Sequence, residues 1–286
     1  MAEPEPLLLP DHRLEWGRRT YIMAILNVTP DSFTGIGPGL DAGAAVRRAE
    51  QDLADGADIL DIGGESTRPG AIPVEATIEL RRVIPVIERL AARRDTVLSI
   101  DTTKAEVADR ALRAGAKVVN DISGMYADPA MAGVVARHHA AVVVMANLRG
   151  RRYAHVIPAI RQRLRGSLAL AQQAGIPRDR VIVDPGFGFG PTAVQNLEMI
   201  RKLGRIRALG HPVLIGTSRK STIGRVLDLP VEERLEGTAA TVALAIAHGA
   251  DIVRVHDTQA MVRVARMSDA IMRGWQPEAG AQGRAH

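Results

Sequence analysis

The sequence contains no cysteine, which excludes disulfides, thiolate metal sites and a cysteine nucleophile. Aromatic residues are scarce as well. Three Phe, three Tyr and two Trp leave little from which to build a base-stacking platform for nucleic acid. No apolar stretch reaches the roughly 18 residues needed to span a bilayer. The opening "MAEPEPLLLPDHRLEWGRR" starts acidic and carries only a three-leucine patch, unlike a secretory signal. These absences lead to the expectation of a cytoplasmic protein with no membrane and no nucleic-acid partner. Lysine is the last shortage: of 37 Lys and Arg, four are lysines and 33 are arginines.

What is present is ordinary in bulk. With 286 residues, 46% hydrophobic and 24% charged, the chain has the make-up of a soluble globular protein, long enough for one large α/β domain or two small ones. The net charge of +5 is spread along the chain and interleaved with acids, as in "ELRRVIPVIERLAARRD". A diffuse positive surplus of this kind favours an anionic small substrate through steering.

Eight short apolar runs punctuate the chain: 21–26, 58–62, 96–100, 117–120, 140–145, 180–183, 212–216 and 251–255. They are apolar throughout rather than alternating, as strands of a parallel sheet covered on both faces are. Between them lie helical patterns such as "AGAAVRRAEQDLADGA", several ending in Gly-Ala just before the next run, where glycine stops a helix. Eight strands alternating with helices at this length predict a single α/β (β/α)₈ TIM barrel rather than an open doubly wound sheet. Residues 1–20 form an N-terminal extension covering the barrel bottom, 21–275 the barrel, and 276–286 a flexible tail of small polar composition.

Active sites of such barrels lie at the C-terminal strand ends. Here those ends carry Asn27, "GGESTRPGA", Asp101, Asn120, Asp184, "TSRKS", and Arg254 with His256. Asp101 and Asp184 each follow an apolar run; either alone could cap a helix or pair with a neighbour. Together with Asn120 and Lys220 they suit a hydrogen-bonding rim for a flat heterocycle whose donors face one way. Arg254 and His256 stand two apart on one strand, hence on one face, as a cationic pair suited to phosphate. The glycines of "DPGFGFG" (184–190) allow a close backbone approach or merely a turn. Asn27 either serves a turn before Pro30 or offers an oxygen to Mg²⁺, which uses few protein ligands. The Gly/Pro-rich stretch after it suits a lid.

Taken in order, "ILNVTPDSF", "DIGGESTRPGA", "SIDTTKAEVADRALRAGAKVVNDISG", "DPGFGFG", "GTSRKSTIG" and "RLEGTAATVALAIAHGADIVRVHD" resemble the dihydropteroate synthase family, pterin-binding TIM barrels of folate biosynthesis. The resemblance runs from about Tyr21 to Met272. It implies a transferase that condenses 6-hydroxymethyl-7,8-dihydropterin diphosphate with 4-aminobenzoate. By that resemblance Asn27 holds Mg²⁺ on the diphosphate; Asp101, Asn120, Asp184 and Lys220 bind the pterin, with Met145 against its face. Thr67, Pro69, Ser221 and Phe33 line the aminobenzoate site, and Arg68, Arg254 and His256 engage the diphosphate. Lys220, Asp101, Arg254 and His256 are the residues expected to carry catalysis. A homodimer and inhibition by sulfonamides are implied too. The chain departs from the family's commoner pattern at "TGIGPG" after Phe33, at Ala146 in place of a histidine, and at Pro191 in place of a lysine. A non-catalytic pterin-binding paralogue and a pterin-dependent methyltransferase on the same barrel are the alternatives, with a Schiff-base aldolase using Lys220 more remote.

Overall fold

The computed structural model describes residues 3–29, 42–66, 70–93 and 96–275. Its strands are β1 Leu7–Leu9, β2 His12–Leu14, β3 Tyr21–Asn27, β4 Ile59–Gly63, β5 Val97–Asp101, β6 Val118–Asp121, β7 Ala141–Met145, β8 Val181–Asp184, β9 Leu214–Ile215 and β10 Ile252–Val255. Its helices are α1 Ala42–Ala54, α2 Ala76–Ala91, α3 Ala105–Ala114, α4 Met131–Arg137, α5 Val156–Gln173, α6 Ala193–Arg201, α7 Gly204–Arg207, α8 Ser221–Leu227, α9 Leu235–Ala247 and α10 Thr258–Arg273. Each of the eight apolar runs is a barrel strand, with ends within two residues of those predicted.

The strands from β3 to β10 form one parallel sheet in the order β8-β7-β6-β5-β4-β3-β10-β9. A parallel bridge between Val183 and Val213 joins its two edges, with Val183 N–H donating to the Pro212 carbonyl at 2.9 Å. The barrel is therefore closed. Strand parity explains the unbroken apolar runs. Ile22, Leu60, Ile62, Ile100, Val142 and Val253 face the surrounding helices in one large core. Their neighbours Met23, Ile59, Val97, Val118, Val143 and Ile252 point inward into a second cluster. Both faces are dry, so both parities are apolar. The helix-stopping glycines behave as predicted: Gly115 and Gly249 take φ of 120° and 100°.

The second cluster is completed by Leu7, Leu9, Leu14 and Trp16, so the β1–β2 hairpin plugs the barrel at the N-terminal strand ends, as expected of the extension. Trp16 is 5% exposed, meets Tyr21 edge-on at 5.6 Å, and donates its indole N–H to the Glu5 carbonyl at 2.9 Å. Trp16→Ala is expected to cost about 3–5 kcal/mol, the range for deleting a buried aromatic, read as a lowered urea midpoint; a loss below about 1 kcal/mol would mean the plug is dispensable. No helix among the described residues is long and apolar enough to cross a membrane. The tail 276–286 lies outside the described residues.

Candidate active site

Inward parity continues up each strand, and above the apolar cluster the next inward positions on β4, β5, β6, β8 and β10 are polar. Asp61 on β4 is fully buried and accepts three bonds. They come from the Ser99 hydroxyl at 2.6 Å, the Asn120 amide at 2.9 Å and Arg254 Nε at 2.6 Å. The other arm of Arg254 reaches Asp101 Oδ2 at 2.7 Å. One guanidinium thus spans two carboxylates, which its planar fork is shaped to do. Asp101 Oδ1, by contrast, is buried without a hydrogen-bond partner among the described residues. Burial pushes the Asp101 carboxyl well above the usual carboxylate range, with Arg254 pulling against it and Asp61 and Glu79 adding to it.

Asp184 closes β8, in register with Met145 at the end of β7. It accepts from the Gly186 N–H at 2.7 Å, and burial still pushes its carboxyl up to about 6. The glycines after it serve both purposes left open by the sequence. Gly186 and Gly190 have φ of 78° and 112°. A β-carbon on either would stand 2.3 Å from the Ala146 carbonyl oxygen or 2.4 Å from the Leu148 carbonyl. The chain beyond β7 is laid against this loop, Leu148 N–H donating to the Phe189 carbonyl at 3.0 Å.

Lys220 stands apart from the other lysines. Lys104, Lys117 and Lys202 are each ion-paired with a carboxylate. The Lys220 ammonium instead lies 4.2 Å over the Phe189 ring, with Arg149 4.4 Å over the same ring. Burial, and then the nearby Arg254, lower it to about 8. Lys220 precedes α8 as its N-cap, and Ser221 opens that helix, exposed at the rim. Asn196 on α6 ties this corner together. It accepts from Gly188 N–H at 2.9 Å and donates to the Thr222 hydroxyl at 2.9 Å, joining the glycine loop to the start of α8.

His256 is not half of a cationic pair. Its backbone N–H donates to Ser218 Oγ at 3.2 Å, and its Nδ1 lies 3.0 Å from the same oxygen. Burial, reinforced by Arg254 and Arg219, lowers the imidazole to about 4, so at neutral pH a neutral ring stands beside one cation. Arg219 is held in a left-handed turn, φ 55°, by its pairing with Asp257 at 2.9 Å and by its N–H on the Thr238 hydroxyl at 3.1 Å. That turn places Lys220 and Ser221.

Asn27 lies half-buried at the end of β3, opposite Gly63 in register. The loop after β4 is fixed at its root: Gly64 carbonyl accepts from Arg82 at 2.8 Å, and Lys104 holds Glu65 and Glu79. Phe33, Thr67, Arg68 and Pro69 lie outside the described residues. The structure therefore gathers Asp101, Asn120, Met145, Asp184, Lys220, Ser221, Arg254 and His256 at one mouth. Sequence reasoning missed Asp61, Asn196, Ser218 and Phe189. Only Asp61 carried a signal, as a carboxylate two residues before a strand end, inside an apolar run and of the same parity as Gly63.

A closed barrel whose mouth offers a buried, unpartnered carboxylate oxygen beside an amide and a lysine belongs to the pterin-binding class. Residues 23–256 match the family model described as pterin binding enzyme. The chain is 49% identical to the dihydropteroate synthase of Bacillus subtilis over 91% of each protein. The crystal structure of dihydropteroate synthase from Clostridium difficile in the presence of pteroic acid superposes with a TM-score of 0.88, at 46% identity, over 91% of this chain and 99% of that one. The Xanthomonas albilineans dihydropteroate synthase with 4-aminobenzoic acid gives 0.85 at 42% identity, over 88% and 93%. The chain belongs to the dihydropteroate synthase family and is a transferase.

Proposed function

We propose that this protein, in the cytoplasm, condenses 6-hydroxymethyl-7,8-dihydropterin diphosphate with 4-aminobenzoate to give 7,8-dihydropteroate and diphosphate. The observation that carries this is Asp101 Oδ1, a buried acceptor that no group among the described residues satisfies. A pterin's amino-pyrimidinone edge supplies the N–H donors such an oxygen needs. Family members solved with pteroic acid and with 4-aminobenzoic acid support the same substrates.

In this reading the bond from the pterin methylene carbon to the diphosphate oxygen breaks, the aryl amine nitrogen bonds to that carbon, and the amine releases one proton. Asp101 and Asp184 favour the positive charge that develops on the pterin as diphosphate leaves, while Arg254, and Arg68 where the chain provides it, favour the departing anion. Lys220 supplies a compact ammonium to the pterin carbonyl, and neutral His256 a hydrogen bond. Phe33, Thr67, Pro69 and Ser221 line the aminobenzoate side. Positioning of an amine that is already nucleophilic supplies much of the rest. Among the described residues no group of three or more His, Cys, Asp or Glu could hold a metal. A Mg²⁺ ion would rest on the Asn27 amide oxygen, water and the diphosphate itself, a donor set that suits this ion; when bound it would neutralise the leaving group. A homodimer is supported by Leu244, Met267, Ile271 and Met272, exposed on α9 and α10.

The test is diphosphate release from the pterin diphosphate with Mg²⁺, with and without 4-aminobenzoate. Release that depends on aminobenzoate and yields dihydropteroate is expected. Pterin binding without turnover would instead establish a non-catalytic paralogue or a methyltransferase. The rate should also follow a bell-shaped pH profile. Asp184 and Asp101 must both lose their protons to favour a cationic pterin, so kcat/KM rises through about 6 to about 7. Lys220 must keep its proton, so kcat/KM falls through about 8. A profile flat from pH 5.5 to 9 would sink this assignment of charge states, since the acid limb reports the two carboxylates and the alkaline limb the lysine.

A further inference from the structure

At the end of the barrel opposite this mouth, a partly open cavity of about 550 Å³ lies between α5 and the segment Ala208–His211, beside the start of β8 at Val181. Small-molecule sites occupy about 300–1,000 Å³. Three arginines line it, Arg161, Arg165 and Arg178, and no Asp or Glu does among the described residues. Arg48, Arg207, Arg219, Arg254 and Arg273 are each ion-paired to an aspartate. The cavity arginines reach neutral carbonyls across the cleft instead: Arg161 bonds the Arg205 carbonyl, and Arg178 those of Leu209 and Gly210, both at 3.1 Å. Those bonds bring two of the guanidiniums, one from α5 and one from Arg178, onto the same wall, the segment from Arg205 to Gly210. The walls beside them are aliphatic, with Leu168, Ile176 and Leu209.

His211 forms the cavity's polar floor. It is 4% exposed, and its Nδ1–H is directed at the Val181 carbonyl at 3.0 Å. Burial holds the imidazole below its ordinary value, so the floor adds hydrogen-bonding capacity without further charge.

We infer that this cavity is a second ligand site, for a small phosphate monoester with an apolar body. Three arginines without a carboxylate around one cavity favour a dianion, and the guanidinium fork matches phosphate oxygens. The aliphatic walls accept the organic part. The site shares no residue with the mouth at the other end of the barrel, so it does not depend on the reaction proposed there.

Phenyl phosphate is the probe. Titrated into the full-length protein at low salt, it should shift the methyl NMR signals of Ile176 and Leu209 saturably, and added salt should weaken it. The double variant Arg165→Ala/Arg178→Ala should bind it at least about tenfold more weakly, the loss expected when hydrogen bonds to a charged group are removed. Turnover of the variant should match the wild type, since neither arginine is at the mouth. Unmoved methyl signals, or equal affinity in the two proteins, would overturn the site. Inorganic phosphate binding as tightly as phenyl phosphate would overturn the apolar part of the assignment, and phenylacetate binding more tightly would overturn the phosphate part.

Discussion

Asp61→Asn is expected to lower stability by about 3–5 kcal/mol, the cost of breaking a buried ion pair from one side, and to cut kcat/KM by about 100-fold or more. Asp61 is fully buried and accepts from Ser99, Asn120 and Arg254 at 2.6, 2.9 and 2.6 Å. Asparagine is nearly the same size but offers one acceptor oxygen and brings two N–H donors to a place where Arg254 and Asn120 already donate and only the Ser99 hydroxyl can turn to accept. Arg254 would then rest on Asp101 alone, drawing that carboxylate into a structural pair and away from substrate. Asn120 would lose the bond that orients its amide. Urea unfolding measures the first effect and steady-state kinetics the second. A variant that is destabilised but turns over normally would show that Asp61 supports the barrel and not the site.

Lys220→Arg is expected to keep the fold and lose most activity, by about 100-fold in kcat/KM. The charge is conserved, so only shape and acidity change. The lysine stem runs tightly past the glycine loop: a β-carbon on Gly188 would stand 3.1 Å from Lys220 Cδ. Its ammonium sits 4.2 Å over Phe189, where a planar guanidinium would spread into the space of either substrate. Burial also leaves Lys220 able to titrate near 8, which arginine cannot do. Whatever activity remains should therefore lose its alkaline limb near pH 8 while keeping the acid limb from Asp184 and Asp101. Near-normal turnover with a native melting curve would sink the assignment. This is also why an arginine-rich chain keeps a lysine at this place.

Most of the barrel was legible because its physics is local. A strand dry on both faces reads as an unbroken apolar run, and a helix that must stop reads as Gly-Ala, as at Gly115 and Gly249. The polar strand ends were legible too, since Asp101, Asn120, Asp184 and Arg254 each break an apolar run where a barrel opens. Their partners were not. Asn196 sits in a helix that sequence reads as ordinary, yet it bridges Gly188 and Thr222. His256 reads as a candidate cation, and it is burial in the folded barrel, reinforced by Arg254 and Arg219 nearby in space, that keeps it neutral.

The sequence by itself determined the eight strands, the covered bottom of the barrel, the family and the polar residues that end the strands, though not Asp61 below them. Hydrophobic burial is set by which residues are adjacent along one chain, and motifs are strings. The tertiary structure alone decided which of those residues act on one another: that Arg254 joins Asp61 to Asp101 across 193 and 153 positions, and that one oxygen of Asp101 is left without a donor among the described residues. Ion pairs, desolvation and hydrogen-bond satisfaction depend on distance through space, and closing the barrel is the step that creates those distances.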